Sequence, residues 1–149
     1  MTPTLFTIGY QQATQPAVLA ALAAARVELL ADVRARPLSR RPGFSKTALK
    51  AAVEEAGMEY RHFRHVGTPP EGREAARRGD YETLARVYAG QLELPEALAD
   101  MAALRQLALA RPTCLLCFCR EAAHCHRSLL ASELLADFTR TDLHPSGAT

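Results

Sequence analysis

Between residues 114 and 127 the chain reads Cys-Leu-Leu-Cys-Phe-Cys-Arg-Glu-Ala-Ala-His-Cys-His-Arg, and all four of its cysteines fall inside this stretch. Cys125, His126 and Arg127 offer a thiol, an imidazole and a guanidinium within one helical turn. The run opens as an apolar strand, crosses a short polar segment and leads into the helix pattern of 128–138. The start of such a helix presents outward-pointing N–H groups, and the macrodipole there favours negative charge. A thiol at that point, beside an arginine, has a lowered pKa and holds more thiolate near neutral pH. His126, near the positive end of the helix, is expected to stay neutral and act as base or donor. Arg127 can grip a phosphate or carboxylate in a bidentate fork. The competing reading is structural: Arg127 ties the loop to Asp32 or Glu121, and Cys125 packs.

The same stretch also offers a metal set. Cys117 and Cys119, two apart on a strand, face the same way with Cα atoms roughly 7 Å apart. Adding Cys125 and His126 gives a Cys3His zinc set, although the ligand pairs lack the usual knuckle spacing. Cys114 points to the opposite face from Cys117 and is expected in the core. No cofactor is expected on the main reading; zinc at this set is the alternative.

A second group of polar residues surrounds Asp32-Val33-Arg34. Asp32 can serve as a general base, or as an acidic anchor that orients Arg34 or Arg127. From Val33 to Val53 run Arg34, Arg36, Arg40, Arg41, Lys46 and Lys50 with no acidic residue between them. Such a loop clamps a phosphate chain, binds a nucleic-acid backbone if its footprint is extended, or is simply solvated. Tyr10, directly after Gly9, can stack on a base, donate a hydrogen bond or cover the end of the sheet. His62 and His65 are weaker candidates.

The elements that must position these residues follow from pattern. Segments 5–9, 27–33, 58–63 and 113–119 read as strands, the last an unbroken apolar run suited to burial on both faces. Segments 16–26, 46–56, 80–91, 95–111 and 126–138 read as helices, with Pro16 and Pro95 in first turns and Ser45 and Asp80 as N-caps. The Pro- and Gly-rich stretch 35–44 is a loop. Segment 66–79 is expected to be irregular, a cover over a site or an ordinary surface loop. The architecture expected is therefore three-layer α/β: a mainly parallel sheet of about four or five strands with helices on both faces. It forms a single domain over 1–138, followed by a flexible tail over 139–149. In such sheets ligands bind beyond the carboxyl ends of the strands. That rule gathers Tyr10, Asp32, Arg34, His62 and the cysteine segment onto one edge, where a single crevice is expected.

Bulk properties narrow the partners. At 149 residues with 48% hydrophobic content, the chain can bury one ordinary core. No apolar run approaches the roughly 20 residues of a membrane span, and the first ten residues read as a strand rather than a signal peptide. The expected compartment is the cytoplasm, where the thiols stay reduced, and no membrane partner is expected. The net charge of +2 is too small to announce nucleic-acid binding by itself. Nucleotide-binding glycine motifs and phosphate-loop signatures are missing, and neither Cys119 nor Cys125 has the arginine spacing of a phosphatase loop.

Thr-Ile-Gly-Tyr at 7–10, Asp-Val-Arg at 32–34 followed by Pro37, Ser39 and Phe44, Tyr60 after Gly57, and Leu-Leu-Cys…Cys-His-Arg at 115–127 together resemble family 488 among the domains of unknown function. The resemblance spans 7–135. That family often has His where Tyr10 stands and Glu where Cys119 stands. The resemblance implies a compact α/β domain and brings no reaction with it. From the residues themselves, the expected function is an enzyme acting on a phosphate-bearing substrate, a nucleotide or nucleic acid. Arg34, Arg40, Arg41, Arg127 and Tyr10 would bind it, Asp32 and His126 would move protons, and Cys125 would be the activated thiol. The alternatives are a non-catalytic nucleotide or nucleic-acid binding module, and a metal- or redox-sensing cysteine site.

Overall fold

The computed structural model describes residues 3–145. Five strands form one sheet: β1 (Thr4–Gly9), β2 (Leu29–Asp32), β3 (Glu59–His62), β4 (Thr113–Cys117) and β5 (Thr139–Leu143). All the pairings are parallel and the spatial order is β3-β2-β4-β1-β5. The apolar run of β4 is buried at every residue because the strand lies in the middle of the sheet, covered on both faces.

Six helices connect the strands: α1 (Gln15–Ala24), α2 (Lys46–Glu55), α3 (Pro70–Arg77), α4 (Tyr81–Gln91), α5 (Pro95–Ala110) and α6 (His126–Leu134). Local chemistry sets their ends. The Thr14 side chain accepts from the Ala17 N–H to cap α1, and Asp80 accepts from the Thr83 N–H to cap α4. Ser45 precedes α2 without capping it; its hydroxyl accepts from the Ser39 N–H at 3.0 Å and so pins the basic loop instead.

Two apolar cores lie on opposite faces of the sheet. Val18 and Leu22 of α1 and Leu49 and Val53 of α2 pack with Ile8, Leu30 and Leu116. Tyr88 of α4, Leu104 of α5 and Leu130 of α6 pack with Ala31, Val33 and Leu115. The result is the three-layer α/β architecture expected, helix–sheet–helix, with one layer on each face.

Two segments depart from the sequence reading. Residues 139–143, expected in a flexible tail, form β5 and pair with β1 from Thr4↔Thr139 to Ile8↔Leu143. The strand is polar because it sits at the sheet's edge. Thr7 donates to Asp142 at 2.5 Å and Arg140 bonds the same carboxylate at 2.9 Å. The rest of that expected tail, 146–149, lies outside the described residues. In the segment expected to be irregular, Pro70–Arg77 is a helix that starts on proline with Glu71 in its first turn, both favourable at a helix N-terminus.

Register fixes what meets at the carboxyl edge. Gly9 pairs with Cys117, and Asp32 pairs with both His62 and Leu116. Those strand ends share the edge, but alternate side chains point to opposite faces. Asp32 shares the face of Leu30, toward α1 and α2; Cys117 shares the face of Leu115, toward α4 and α6.

Candidate functional site

That alternation divides the expected crevice into two clusters, one on each side of the sheet. On the α1/α2 side, Asp32 is fully buried and Arg34 is 5% exposed. Arg34 Nε and Nη2 donate to the two Asp32 oxygens at 2.8 and 2.7 Å, and Nη1 donates to the Phe44 carbonyl at 2.7 Å and the Tyr10 hydroxyl at 3.1 Å. Tyr60 donates to the second Asp32 oxygen at 2.5 Å. Burial opposes the Arg34 charge, but the Asp32 hydrogen bonds and field outweigh it and raise the pKa above its ordinary value. Burial first, then Asp32, pushes the Tyr60 phenol well above its usual range.

These contacts revise several roles. Asp32 is the anchor of Arg34, as one of the two sequence readings had it, and both its oxygens are occupied. Arg34, expected to bind an anion, spends its guanidinium on Asp32, Phe44 and Tyr10. Tyr10 is 2% exposed, stacked on Phe44 at 4.4 Å between ring centroids and met edge-on by Phe118 at 5.5 Å, so its ring covers the sheet's end. Arg41 Nε donates to the Ala13 carbonyl at 3.0 Å, tying the basic loop to the start of α1. Arg40 is exposed. His62 Nε2 bonds the Arg34 carbonyl at 2.7 Å, and the His65 N–H donates to Asp100.

On the other side lies a cluster of a different kind. Cys117 ends β4, and Cys125 occupies the N-cap position of α6 with no side-chain capping bond. Their sulfurs are in direct contact as a disulfide pair, with Cα atoms 7.7 Å apart. His126 and Arg127 are the first two residues of α6. The His126 Nε2 bonds the Val33 carbonyl at 2.7 Å. A carbonyl only accepts, so Nε2 carries the proton and Nδ1 keeps its lone pair. That lone pair lies 3.7 Å from Cys125 Sγ. Tyr88 meets the ring edge-on at 5.3 Å, and its hydroxyl is held by the Val66 carbonyl at 2.7 Å. Burial, more than any neighbour, pushes the His126 pKa down to about 4, so the imidazole is neutral at ordinary pH. The sequence reading expected neutrality from the helix dipole; here burial is its main cause.

Arg127 is the largest fully buried side chain described. Its Nη1 donates to Cys117 Sγ at 2.9 Å and to the Cys119 carbonyl, and Nη2 reaches the Arg120 carbonyl at 3.4 Å. Among the described residues its Nε has no partner and no carboxylate forms an ion pair with it. Asp142 acts on it only through its field, being bound to Thr7 and Arg140. Burial therefore lowers the Arg127 pKa, yet a guanidinium remains charged at any ordinary pH. Neither expected tether, Asp32 or Glu121, is among its hydrogen-bond partners; loop carbonyls and a sulfur take their place.

Gly9 makes room for this arrangement. A Cβ there would stand 1.7 Å from the Cys119 carbonyl oxygen and 2.8 Å from Arg127 Nη1, so only glycine lets β1 pass under the guanidinium.

Of the four expected metal donors, three come together: Cys117, Cys125 and His126 offer ligand atoms within 4.8 Å of one another. Cys119 does not join them. β4 stops at Cys117, so the strand geometry that would align the two thiols ends there, and the Cys119 carbonyl is what turns to Arg127. Burial raises the pKa of Cys119 against the lowering field of Arg127, and raises that of fully buried Cys114 still further. Sequence reasoning missed Tyr88 and the Val33 carbonyl as supports of His126, and no spacing in the chain points to either.

The fold and the site together define a three-layer, all-parallel α/β protein with a buried Cys-Cys-His-Arg cluster where a strand end meets a helix start. The chain belongs to the family described as domain of unknown function DUF488, whose model matches residues 15–134. No curated protein and no solved structure matches the chain. Among the described residues, no helix is long and apolar enough to cross a membrane.

Proposed function

We propose that the protein works through a redox-active thiol pair, Cys117 and Cys125, with Arg127 holding Cys117 as thiolate and His126 serving Cys125 as base. One observation carries the reading: a fully buried guanidinium, with no carboxylate partner among the described residues, donates to a cysteine sulfur at 2.9 Å. A buried cation is costly unless an anion meets it, and once the pair is reduced the Cys117 thiolate is the anion within reach. This moves the activated thiol from Cys125, where the helix start suggested it, to Cys117.

The chemistry that fits is exchange with a disulfide-bearing substrate. The Cys117 thiolate attacks one substrate sulfur, the substrate S–S bond breaks, and the other sulfur leaves as a thiolate that takes a proton from water. Cys125 passes its proton to His126 Nδ1 and attacks the mixed disulfide. That closes the Cys117–Cys125 bond and releases the second thiol, which takes the proton from His126. Two electrons pass from the protein pair to the substrate. The pair is closed here with its Cα atoms 7.7 Å apart, beyond the roughly 6.8 Å of relaxed disulfides, so on this reading the 118–125 segment shifts when the pair is reduced. The same shift admits substrate to sulfurs that are only 2% and 3% exposed.

The phosphate-bearing substrate, whether nucleotide or nucleic acid, draws less support from the geometry. Arg34 and Tyr10 are committed to each other and to the core, and Arg127 is enclosed. The Arg127 Nε, without a partner among the described residues, and exposed Arg40 are what remain in its favour.

Mass spectrometry after thiol blocking tests the proposal. Reduced protein should carry four blocked cysteines, and protein treated with a small disulfide should carry two, with a Cys117–Cys125 cross-linked peptide. A cross-link through Cys119 instead, or no cross-link, would contradict it.

A further inference from the structure

We infer that the reduced pair is also a metal site: Cys117 Sγ, Cys125 Sγ and His126 Nδ1 hold one thiophilic divalent ion of the zinc class, leaving a fourth position open. The inference rests on the thiol pair proposed above, but its geometry stands on separate observations. The three donor atoms lie within 4.8 Å of one another, close enough to share one ion. Two thiolates and an imidazole select zinc over hard cations such as magnesium or calcium, which take oxygen ligands.

The surroundings are those a metal site needs. A ligating histidine ordinarily donates its other ring N–H to a carbonyl or carboxylate, which fixes both tautomer and ring plane. His126 does this through Nε2 to the Val33 carbonyl at 2.7 Å, so its free lone pair is the Nδ1 that lies 3.7 Å from Cys125 Sγ. The Tyr88 ring steadies the imidazole from its edge. Arg127, donating to Cys117 Sγ at 2.9 Å, favours the deprotonated sulfur that a metal requires. The sulfurs touch each other here; once reduced, on backbones 7.7 Å apart, they have room to part around an ion.

The donor count has a consequence. Structural zinc sites are closed by four protein ligands, whereas sites that do chemistry have three and keep one position for water or substrate. Cys119, the residue that would have closed this one, lies beyond the end of β4 and is not among the grouped donors. The fourth position is therefore open to a water or to an incoming thiol, the same class of group that the pair exchanges with. Metal and disulfide exclude each other, since oxidation consumes both thiolates.

Cobalt(II) is the probe, added to the full-length, chemically reduced protein under a phosphine reductant. One cobalt per chain should bind, with a thiolate charge-transfer band and the visible bands of tetrahedral coordination, and zinc should displace it. Cys119→Ser should leave these spectra unchanged. Cys117→Ser and His126→Gln should each weaken zinc binding by on the order of a hundredfold or more, since even outer partners are worth about 10- to 100-fold. For a readout independent of variant folding, saturating zinc on the wild-type protein should protect Cys117 and Cys125, but not Cys119, from alkylation. Prior oxidation with a small disulfide should abolish cobalt binding. Absence of charge-transfer bands from reduced wild-type protein overturns the metal site even if the Cys117–Cys125 cross-link forms. Equal loss of binding in Cys119→Ser overturns the donor set. Zinc binding by a pair that never cross-links would instead sink the redox reading and leave the metal site standing.

Discussion

The molecule buries two arginines at one edge of its sheet, on opposite faces, and treats them differently. Arg34 finds a carboxylate two residues away, a tyrosine hydroxyl and a main-chain carbonyl, and its charge is neutralised within the cluster. Arg127 finds carbonyls and a cysteine sulfur, and one of its nitrogens finds no partner among the described residues. Buried ion pairs contribute little net stability and mainly hold a particular geometry, which is what the Asp32–Arg34 pair does for Tyr10, Phe44 and the basic loop. A buried guanidinium without its own carboxylate is a positive field directed at a neighbour. On the function proposed above, the contrast separates a structural cluster from one arranged for thiol chemistry.

The contrast can be broken by mutation. Asp32→Ala should have the largest effect, because it strands the Arg34 charge and the Tyr60 hydroxyl in the interior. We expect a loss of roughly 3–5 kcal/mol in denaturant unfolding, with the disulfide exchange of Cys117 and Cys125 unchanged in protein that still folds. Loss of exchange in folded Asp32→Ala protein would join the two clusters functionally.

Acid should act on the other cluster. His126 is buried neutral with a pKa of about 4, whereas in the unfolded chain it returns to about 6.5. Between those values the unfolded state binds the extra proton, so stability is full above about pH 6.5 and falls as pH drops toward 4. The loss is on the order of 3 kcal/mol for the disulfide-bonded protein, the state in which His126 has that pKa. His126→Gln should flatten that part of the stability profile; an unchanged slope would mean that another group titrates there.

Gly9→Ala sharpens the comparison from the strand side. The added methyl collides with the Cys119 carbonyl and crowds Arg127, so a cost of about 2 kcal/mol is expected, within the usual range for overpacking. The Cys117–Cys125 exchange should slow in the same variant, because Arg127 is displaced from the sulfur. A variant as stable and as reactive as wild type would contradict the close approach.

The sheet core was legible because β1, β2 and β4 are largely apolar and the strands are separated by helices with proper starts: Pro16, Pro95 and Asp80 each stand where a helix begins. β5 was not, since Thr-Arg-Thr-Asp-Leu is a mostly polar edge strand in which Asp142 and Arg140 bond across to Thr7 and Ser128 and only Leu143 packs against a core. α3 was hidden by the prolines and glycines around it, of which Pro70 is the helix start itself. Sequence position also led to the correct edge, because Gly9, Asp32 and Cys117 close their strands. What it could not show was the face. Asp32 and Cys117 lie on different strands, and only the register between them reveals that their side chains are separated by the sheet. The partner of Arg127 was hidden for a similar reason, since a guanidinium ten residues from Cys117 meets it only through the turn of the loop.

The thiolate character of Cys117 is the most direct test. Ultraviolet absorbance of thiolate can be followed against pH in reduced, metal-free protein and compared with Cys117→Ser. Burial raises the pKa of Cys114 and Cys119, and Cys125 is common to both proteins, so the difference between the two curves reports Cys117. A midpoint clearly below the ordinary thiol value of about 8.5 is expected, moving upward in Arg127→Met. A Cys117 that titrates at or above that value in the wild-type protein would contradict the account.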